Sequence, residues 1–298
     1  MFDFTRLFVE VDDCWKTFEK IYEKHLIEDG TRKRIRKCRL SISEIMTILI
    51  TFQTSGYRTF KAFYHYLLKH HKHDFPDLVS YDRFVYLIPR AVIPMFVYLQ
   101  SCGIDKTTGI SFIDSTALKV CHNKRIARNR VFEGFAKIGK TTMGWFYGFK
   151  LHLLINDQGG LLSYRLTAGN VDDREVVEAM SECLFGKLFG DKGYVSRILF
   201  EKLLGKGIKL ITNIRKNMKS RLIELEDKIL LRKRSLIETV NDTLKNVCHI
   251  EHSRHRSPIS FLAHLIAGII AYTKLPKKPS LKMENMKCQT GELMFLTA

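Results

Sequence analysis

The sequence predicts an α/β protein in which a mixed sheet is flanked by helices and preceded by an all-helical N-terminal region. Three observations predict this fold class. Apolar residues recur at helical spacing up to about residue 105. Beyond that point, short apolar runs alternate at strand spacing and are separated by turn residues. Helices and short strands then alternate as far as residue 271, which is typical of strands joined by helical crossovers.

The N-terminal region is predicted to contain four helices. Their apolar positions mark residues 8–26, 45–52, 60–68 and 81–88. Ser41 and Glu44 have capping-box spacing ahead of the second helix, and Ser80 can cap the fourth. A basic segment, residues 31–39, precedes the second helix. Helix, turn and helix with a basic lead are compatible with DNA binding, and equally with a plain helical bundle that pairs protomers, so the pattern leaves both roles open.

The central segment predicts an antiparallel meander. Residues 110–120 alternate like a strand and carry Asp114 in their interior. Residues 145–155 and 161–167 are predicted as the second and third strands, and the turn sequence Asn-Asp-Gln-Gly-Gly joins them. Strands joined by such a short turn pair in antiparallel fashion.

The last part of the chain alternates helices with short strands. Helices are predicted over residues 174–184, 196–204, 231–247 and 259–271, and strands over residues 187–190 and 208–212. Because helical crossovers deliver the later strands, we expect them to run parallel to each other or to the first strand. This is the element order of the ribonuclease-H-like fold. The predicted domains are an N-terminal helical domain, a ribonuclease-H-like domain and a C-terminal tail, at residues 1–105, 106–275 and 276–298.

The charge balance favours a polyanionic partner. Lys and Arg number 49 against 31 Asp and Glu, a net charge of +18, which favours nucleic acid first and an anionic membrane second. The longest apolar stretch, residues 261–272, is shorter than the roughly 20 residues that a spanning helix needs. The N-terminus carries acids where a signal peptide carries bases, and the seven cysteines include no Cys-x-x-Cys pair. We therefore expect a cytoplasmic protein that does not bind a membrane.

Three carboxylates are candidates for chemistry. Asp114 lies inside a strand, where an unpaired carboxylate is costly, and Asp191 directly follows a strand. Glu238 lies on a late helix, on a polar stripe that includes Arg234 and Lys245, while Leu236, Val240, Leu244 and Val247 form the apolar stripe. Converging carboxylates suit Mg²⁺, which prefers oxygen ligands and shares its shell with phosphates. The alternative is that these acids, like most of the 31, are simply solvated.

Five segments resemble a known family. They are FIDSTALKVC, GWFYGFKLHLLIN, TAGNVDDREV, GDKGYVS and IETVNDTLKNVCHIEHSRHRS. In this order they are similar to bacterial DDE insertion-sequence transposases, and most similar to insertion-sequence family 982. The resemblance covers roughly residues 30–280 and is densest over residues 110–260.

The resemblance implies a ribonuclease-H-like catalytic domain in which Asp114, Asp191 and Glu238 bind two Mg²⁺ ions, with Mn²⁺ able to substitute. It also implies a homodimer that acts on double-stranded DNA at element ends and at the target, in the nucleoid of a bacterium. The metal ions would promote hydrolysis at the element's end, and the freed 3′-hydroxyl would attack a target phosphodiester. Arg234, Glu238 and Lys245 fit the wider signature Tyr-x2-Arg-x3-Glu-x6-Lys, but Leu231 stands where that signature has Tyr.

Basic residues at several positions are candidates for phosphate contacts. Arg234 and Lys245 flank Glu238, although Arg234 is also spaced for an intrahelical ion pair with it. Lys140 lies in GFAKIGKT, residues 134–141, which matches the P-loop pattern. No helix is predicted after it, so we interpret it as a basic loop between strands and not as a nucleotide site. Arg254 and Arg256 accompany three histidines that we interpret as a basic turn and not as a zinc site.

Two other functions remain open at this stage. A protein with the same fold could bind DNA without catalysis, and a ribonuclease-H-like nuclease could cut nucleic acid without joining it. The nuclease would share the carboxylate chemistry, so a strand-transfer assay is needed to separate it from a transposase.

Overall fold

The computed structural model describes residues 3–30, 34, 38–213, 223–251 and 255–281. Within these residues a six-stranded mixed sheet is surrounded by helices, as the sequence predicts. The helices are α1 (Phe4–Glu28), α2 (Ile42–Phe52), α3 (Phe60–His70), α4 (Tyr81–Leu87), α5 (Val92–Tyr98), α6 (Val177–Met180), α7 (Arg197–Gly205), α8 (Leu225–Arg232), α9 (Ser235–Asp242) and α10 (Pro258–Thr273). The strands are β1 (Ile110–Cys121), β2 (Lys137–Thr141), β3 (Gly144–Asn156), β4 (Leu161–Ala168), β5 (Gly186–Gly190) and β6 (Ile208–Thr212).

The sheet follows the predicted directions. β3 pairs antiparallel with β1, and β5 lies parallel to both β1 and β6. The other edge of β3 is shared by β2, which pairs with its first half, and by β4, which pairs with its second half. β1 therefore pairs with β3 along most of its length and with β5 only over its first three residues, and Asp114 lies just beyond that pairing, opposite Leu153 of β3.

The caps of α2 and α4 and the start of α3 are as predicted, whereas α1 begins at Phe4 and not at residue 8, and α5 was not predicted. The Ser41 hydroxyl accepts a hydrogen bond from the Glu44 backbone N–H, and the Glu44 carboxylate accepts one from the Ser41 N–H, which completes the capping box. The Ser80 hydroxyl caps α4 in the same way. These helices share one continuous hydrophobic core with β1, β3 and α10.

One helical run in the described residues, Tyr81–Gly103, has the length and apolar composition of a membrane-spanning helix. It is not one straight helix, because a 3₁₀ turn (Ile88–Ala91) separates α4 from α5 and a π-helical turn (Leu99–Gly103) follows. Its residues Phe84, Leu87, Met95 and Tyr98 are buried in the hydrophobic core. The run thus packs as a core element of the protein.

Four predictions about individual elements are wrong. Only Val177–Met180 of the helix predicted over 174–184 is helical, and at the predicted start the Asp172 carboxylate accepts a hydrogen bond from the Arg174 N–H in a competing turn. The single helix predicted over 231–247 is two helices, α8 and α9, with a break before Ser235. A π-helical turn (Thr243–Val247) then shifts the phase of the helix, so Val247 is exposed and not packed on the sheet.

The predicted loop over residues 134–141 is the fourth error, because Lys137–Thr141 forms strand β2. Its backbone groups pair with β3, which places Lys140 opposite Trp145. The expectation that a strand and not a helix follows this glycine segment is confirmed, since β3 begins at Gly144. The P-loop geometry, in which a helix follows the loop, is therefore not formed here.

Candidate active site

Asp114 and Asp191 lie side by side because of the register of the sheet. Phe112 of β1 pairs with Phe189 of β5, and each aspartate comes two residues later on its own strand. Asp191 thus directly follows the carboxyl end of β5, level with Asp114 in the neighbouring strand. The carboxyl ends of parallel strands are where open α/β sheets place their sites.

The chain turns sharply after Asp191. The Asp191 Oδ1 accepts a hydrogen bond of 2.7 Å from the Gly193 N–H and so caps the 3₁₀ turn Lys192–Tyr194. The turn carries the buried Tyr194 ring back against Gly190, where a Cβ atom would lie only 3.0 Å from the ring. A larger residue before Asp191 would require the Tyr194 ring to shift by a few tenths of an ångström.

Glu238 reaches the site from α9, which packs on β1. The Leu236, Ile237 and Val240 side chains of α9 are buried, and this contact directs the opposite, polar face toward the edge of the sheet. Arg234, at the break before α9, pairs with Glu238 four residues later. Its other guanidinium nitrogen lies 3.9 Å from Asp114 Oδ1. Arg234 thus bridges the two carboxylates.

Asp114 is held among polar and charged groups in the interior of the site. Its side chain is 20% exposed, and Asn241 of α9 donates a hydrogen bond of 3.2 Å to its Oδ2. The pKa of Asp114 is raised to about 7, mainly by burial and also by the negative charges of Asp191 and Glu238, although Arg234 and the Ser115 N–H act to lower it. Each of the other two carboxylates is therefore close enough to act on Asp114 electrostatically.

In this arrangement the three carboxylates are not grouped closely enough to bind one metal ion together. In the described part of the chain, no three His, Cys, Asp or Glu side chains have the spacing of a metal site. Glu238 is the outlying member, since its side chain is 55% exposed and is engaged by Arg234. The predicted triad is thus brought to one edge of the sheet, with an arginine among its charges.

The other predicted contact residues are dispersed. Lys245 donates a hydrogen bond to the Ala117 carbonyl at 2.7 Å and pairs with Glu251 at 3.3 Å. Lys140 lies on the exposed edge strand β2, and Arg256 is exposed ahead of α10. Arg254 lies outside the described residues. Of the two readings of Arg234, the intrahelical ion pair is present.

Sequence reasoning missed two neighbours of the carboxylates. Tyr194 is buried, and burial followed by the charges of Asp114, Asp173 and Asp191 raises the pKa of its phenol. Asn241 was on the predicted polar stripe but had no role assigned to it, and it binds Asp114. The segments GDKGYVS and IETVNDTLKN contain both residues, so these motifs were the available signal.

The comparisons with known proteins place the chain in a family. Residues 104–258, more than half of the chain, match the family described as Transposase DDE domain. The chain belongs to the DDE transposases. A comparison with curated proteins finds no match.

A solved structure supports the transposase fold. The chain is similar to the piggyBac transposase in a cryo-EM structure of its synaptic complex with hairpin DNA. The TM-score is 0.51 at 13% identity, and the alignment covers 92% of this chain and 74% of that one. At this identity the similarity supports a common fold and no individual residue role. The DDE transposase match covers β1 to β6, α6 to α9 and all three predicted carboxylates.

Proposed function

We propose that this DDE transposase cuts double-stranded DNA at the ends of a bacterial insertion sequence, most similar to family 982, and joins those ends to target DNA. One observation carries the proposal: two aspartates from adjacent parallel strands and a glutamate from the helix packed on them lie at one sheet edge, and Arg234 contacts Asp114 and Glu238. The DNA partner fits a chain with a net charge of +18. The proposal places the protein in the cytoplasm, in the nucleoid.

The residues at this edge suit a hard divalent cation. Asp114, Asp191 and Glu238 offer only oxygen donors, as Mg²⁺ or Mn²⁺ requires. Arg234 contacts two of these carboxylates, so a divalent cation would compete with its guanidinium for them. Two bound ions would polarise the attacking and leaving oxygens of a displacement at phosphorus. Three-carboxylate coordination requires Glu238 to leave Arg234.

When Glu238 binds the metal, Arg234 is free for a second role, the contact with a DNA phosphate. Once separated from Glu238, its guanidinium can pair with a DNA phosphate, for which a planar fork of donors is well suited. Asn241 holds the Asp114 carboxylate in place through its amide. Lys140, Arg254 and Arg256 are proposed to contact phosphates further from the cut. The two element ends are proposed to be brought together by a homodimer.

The test is cleavage of a duplex that carries the element's own terminal sequence, with Mg²⁺ or with EDTA. We expect metal-dependent cutting and joined products from the wild type. The variants Asp114→Ala, Asp191→Ala and Glu238→Ala should each lose cutting while retaining DNA binding. Asp242→Ala is the matched control, because Asp242 is an exposed carboxylate at the end of the same helix.

Other outcomes of the cleavage assay would indicate other functions. Cutting without joined products indicates a nuclease, and DNA binding without cutting on the correct end sequence indicates a non-catalytic DNA-binding protein. Cutting that survives in a purified triad variant would refute the assignment of that carboxylate.

A further inference from the structure

A surface remote from the carboxylates combines exposed cations with exposed aromatic residues. We define the 123–145 surface as the 3₁₀ turn Asn123–Arg128, the turns that follow it and the β2–β3 hairpin as far as Trp145. Its 23 residues include one acid, Glu133, and six bases, all of them exposed: Lys124, Arg125, Arg128, Arg130, Lys137 and Lys140. None of the six lies within 4.0 Å of a carboxylate oxygen of the described residues. A cluster of unpaired cations of this kind attracts an external polyanion.

Several cations elsewhere on the same sheet pair with carboxylates of the protein. At the opposite edge, Lys187 and Lys209 pair with the buried Asp227 of α8 at 2.6 and 2.8 Å. On β3, Lys150 pairs with Asp173 at 2.9 Å. Among the described residues, Lys119 of β1 and Arg165 of β4 are also exposed without an ion pair, but the 123–145 surface groups six such cations within 23 residues.

The hairpin also exposes large apolar side chains. Met143 at its tip is 91% exposed and Trp145 is 61% exposed. One alternative is that the lysines of this edge strand merely prevent it from pairing with another sheet. That alternative does not explain why a tryptophan is exposed beside them. Trp145 lies opposite Lys140, whose Nζ is 5.4 Å from the centre of its ring.

The backbone at Trp145 is anchored to the basic turn. The Asn123 side-chain amide donates a hydrogen bond of 2.8 Å to the Trp145 carbonyl. Trp145 and the cations of residues 124–130 therefore belong to one structural unit. Cations that follow a phosphate backbone, together with an aromatic face on which bases stack, are the features of surfaces that bind unpaired nucleic acid.

The position of this unit relative to the carboxylates is set by β1. Asp114 and Cys121, which pairs with Tyr147 of β3, lie seven residues apart on the strand. At about 3.3 Å per residue, this is roughly 23 Å. A DNA strand that leaves the carboxylates along β1 would reach the hairpin within several nucleotides.

We propose that the 123–145 surface binds DNA that contains unpaired bases, with Trp145 stacked on a base and the surrounding cations on its phosphates. This inference rests on the proposed function, since it takes DNA as the partner. It adds a preference for DNA with unpaired bases over fully paired DNA, and the proposed cleavage at the carboxylates does not require that preference.

The test uses the full chain in EDTA, so that binding is measured without cleavage. Two duplexes of the same sequence are compared, one fully paired and one with a short central bubble of unpaired bases. Trp145→Ala should weaken binding to the bubble roughly 5- to 100-fold, the loss expected for one stacked base, and change binding to the paired duplex little. Trp145→Phe should retain most of the preference.

Phe185→Ala is the matched control, since Phe185 is an aromatic residue 55% exposed beside Gly109, at the opposite end of β1. It should bind both duplexes as the wild type does. Lys137→Gln and Lys140→Gln should weaken binding to both duplexes alike, each reducing the slope of log affinity against log salt by about one.

A spectroscopic readout isolates the ring. The chain has two tryptophans, and Trp15 is buried, so Trp15→Phe leaves Trp145 as the only reporter. The bubble should quench its fluorescence and shield it from acrylamide. Equal affinities of the wild type and Trp145→Ala for the bubble, without quenching, would overturn the proposal. A change of oligomeric state in Trp145→Ala, measured by light scattering, would identify the surface as a protein interface and also refute it.

The two proposals fail separately. Binding in EDTA does not depend on the carboxylates, and metal-dependent cutting of a terminal duplex does not depend on a bubble preference. Loss of the preference with intact cutting therefore rejects only the stacking surface. Loss of cutting with an intact preference rejects only the catalytic assignment.

Discussion

The buried position of Asp114 lowers the stability of the folded protein at neutral pH. Its carboxylate is held in the interior of β1, with the charges of two other acids nearby. Burial raises its pKa from 3.8 to about 7, so between these values the folded chain retains a proton that the unfolded chain has released. Stability therefore falls as the pH rises from about 4 to about 7, and the loss persists above that range.

Asp114→Asn should remove this loss. We expect the variant and the wild type to have similar free energies of unfolding at pH 4, and the variant to be more stable at pH 8. At about 1.36 kcal/mol per pKa unit, the gain is at most about 4 kcal/mol. Urea unfolding in EDTA at the two pH values measures it.

The control for this prediction is Asp13→Asn, at an exposed carboxylate on α1. This variant should change the free energy of unfolding only slightly, and by the same amount at both pH values. A gain in Asp114→Asn that does not depend on pH would show that the carboxylate's charge is not what costs stability.

At the residue scale, the sequence was enough to predict the three acids but not the contact of Arg234 with Asp114. A carboxylate inside a strand and another just after a strand are visible as violations of hydrophobic patterning. The Arg234 bridge to Asp114 was not visible, because it requires the break before α9 and the packing of that helix on β1. Spacing alone predicts only the pair of Arg234 with Glu238.

At the element scale, the segment after α9 is fastened to β1 by a small polar network. Lys245 donates to the Ala117 carbonyl and pairs with Glu251, and the Glu251 carboxylate accepts a hydrogen bond of 3.1 Å from the Lys119 N–H. This network joins the π-helical turn that follows α9, and the segment after that turn, to the strand that carries Asp114. It gives Lys245 a structural role in the chain itself, beside the DNA contact predicted for it.

Lys245→Ala distinguishes these roles. A structural role predicts a loss of about 1–3 kcal/mol in the free energy of unfolding, because the variant leaves a partly buried Glu251 without its cation. It also predicts an unchanged salt dependence of DNA binding. Denaturant unfolding and binding at several salt concentrations provide the two measurements.

Lys228→Ala, at an exposed lysine of α8, controls for loss of a positive charge. Coupling between Lys245→Ala and Glu251→Ala in a double-mutant cycle should account for most of the loss. A stable Lys245→Ala with a reduced salt slope would favour the phosphate contact instead.

The elements that sequence reasoning misjudged share a cause. The break before α9, the π-helical turn after it and the short α6 depend on local side-chain bonds and on packing, which hydrophobic periodicity does not record. Strand β2 has few apolar residues because it lies at an exposed edge. The strands with strong alternation, β1 and β3, were predicted within a residue or two.

At the scale of the whole molecule, α10 connects the two predicted domains. Its apolar faces pack on α2 and α5 and on the π-helical turn after α9, and nearly all its residues from Leu265 to Tyr272 are buried. His264 on the same helix lies 3.0 Å from the Gln53 amide, just beyond α2. Lys274, directly after the helix, pairs with Glu10 of α1 at 2.7 Å.

This continuity predicts that the chain unfolds as one unit, although the sequence suggests a boundary near residue 105. If the N-terminal helices unfolded alone, they would leave the apolar faces of α10 in water, at about 25 cal/mol per Å² of apolar surface. In a Trp145→Phe variant, Trp15 on α1 reports on the N-terminal helices, while far-UV circular dichroism reports on the whole chain. Urea transitions from the two probes should coincide. An earlier transition of Trp15 would show instead that residues 1–105 are an independent domain, with α10 folded and stable without them.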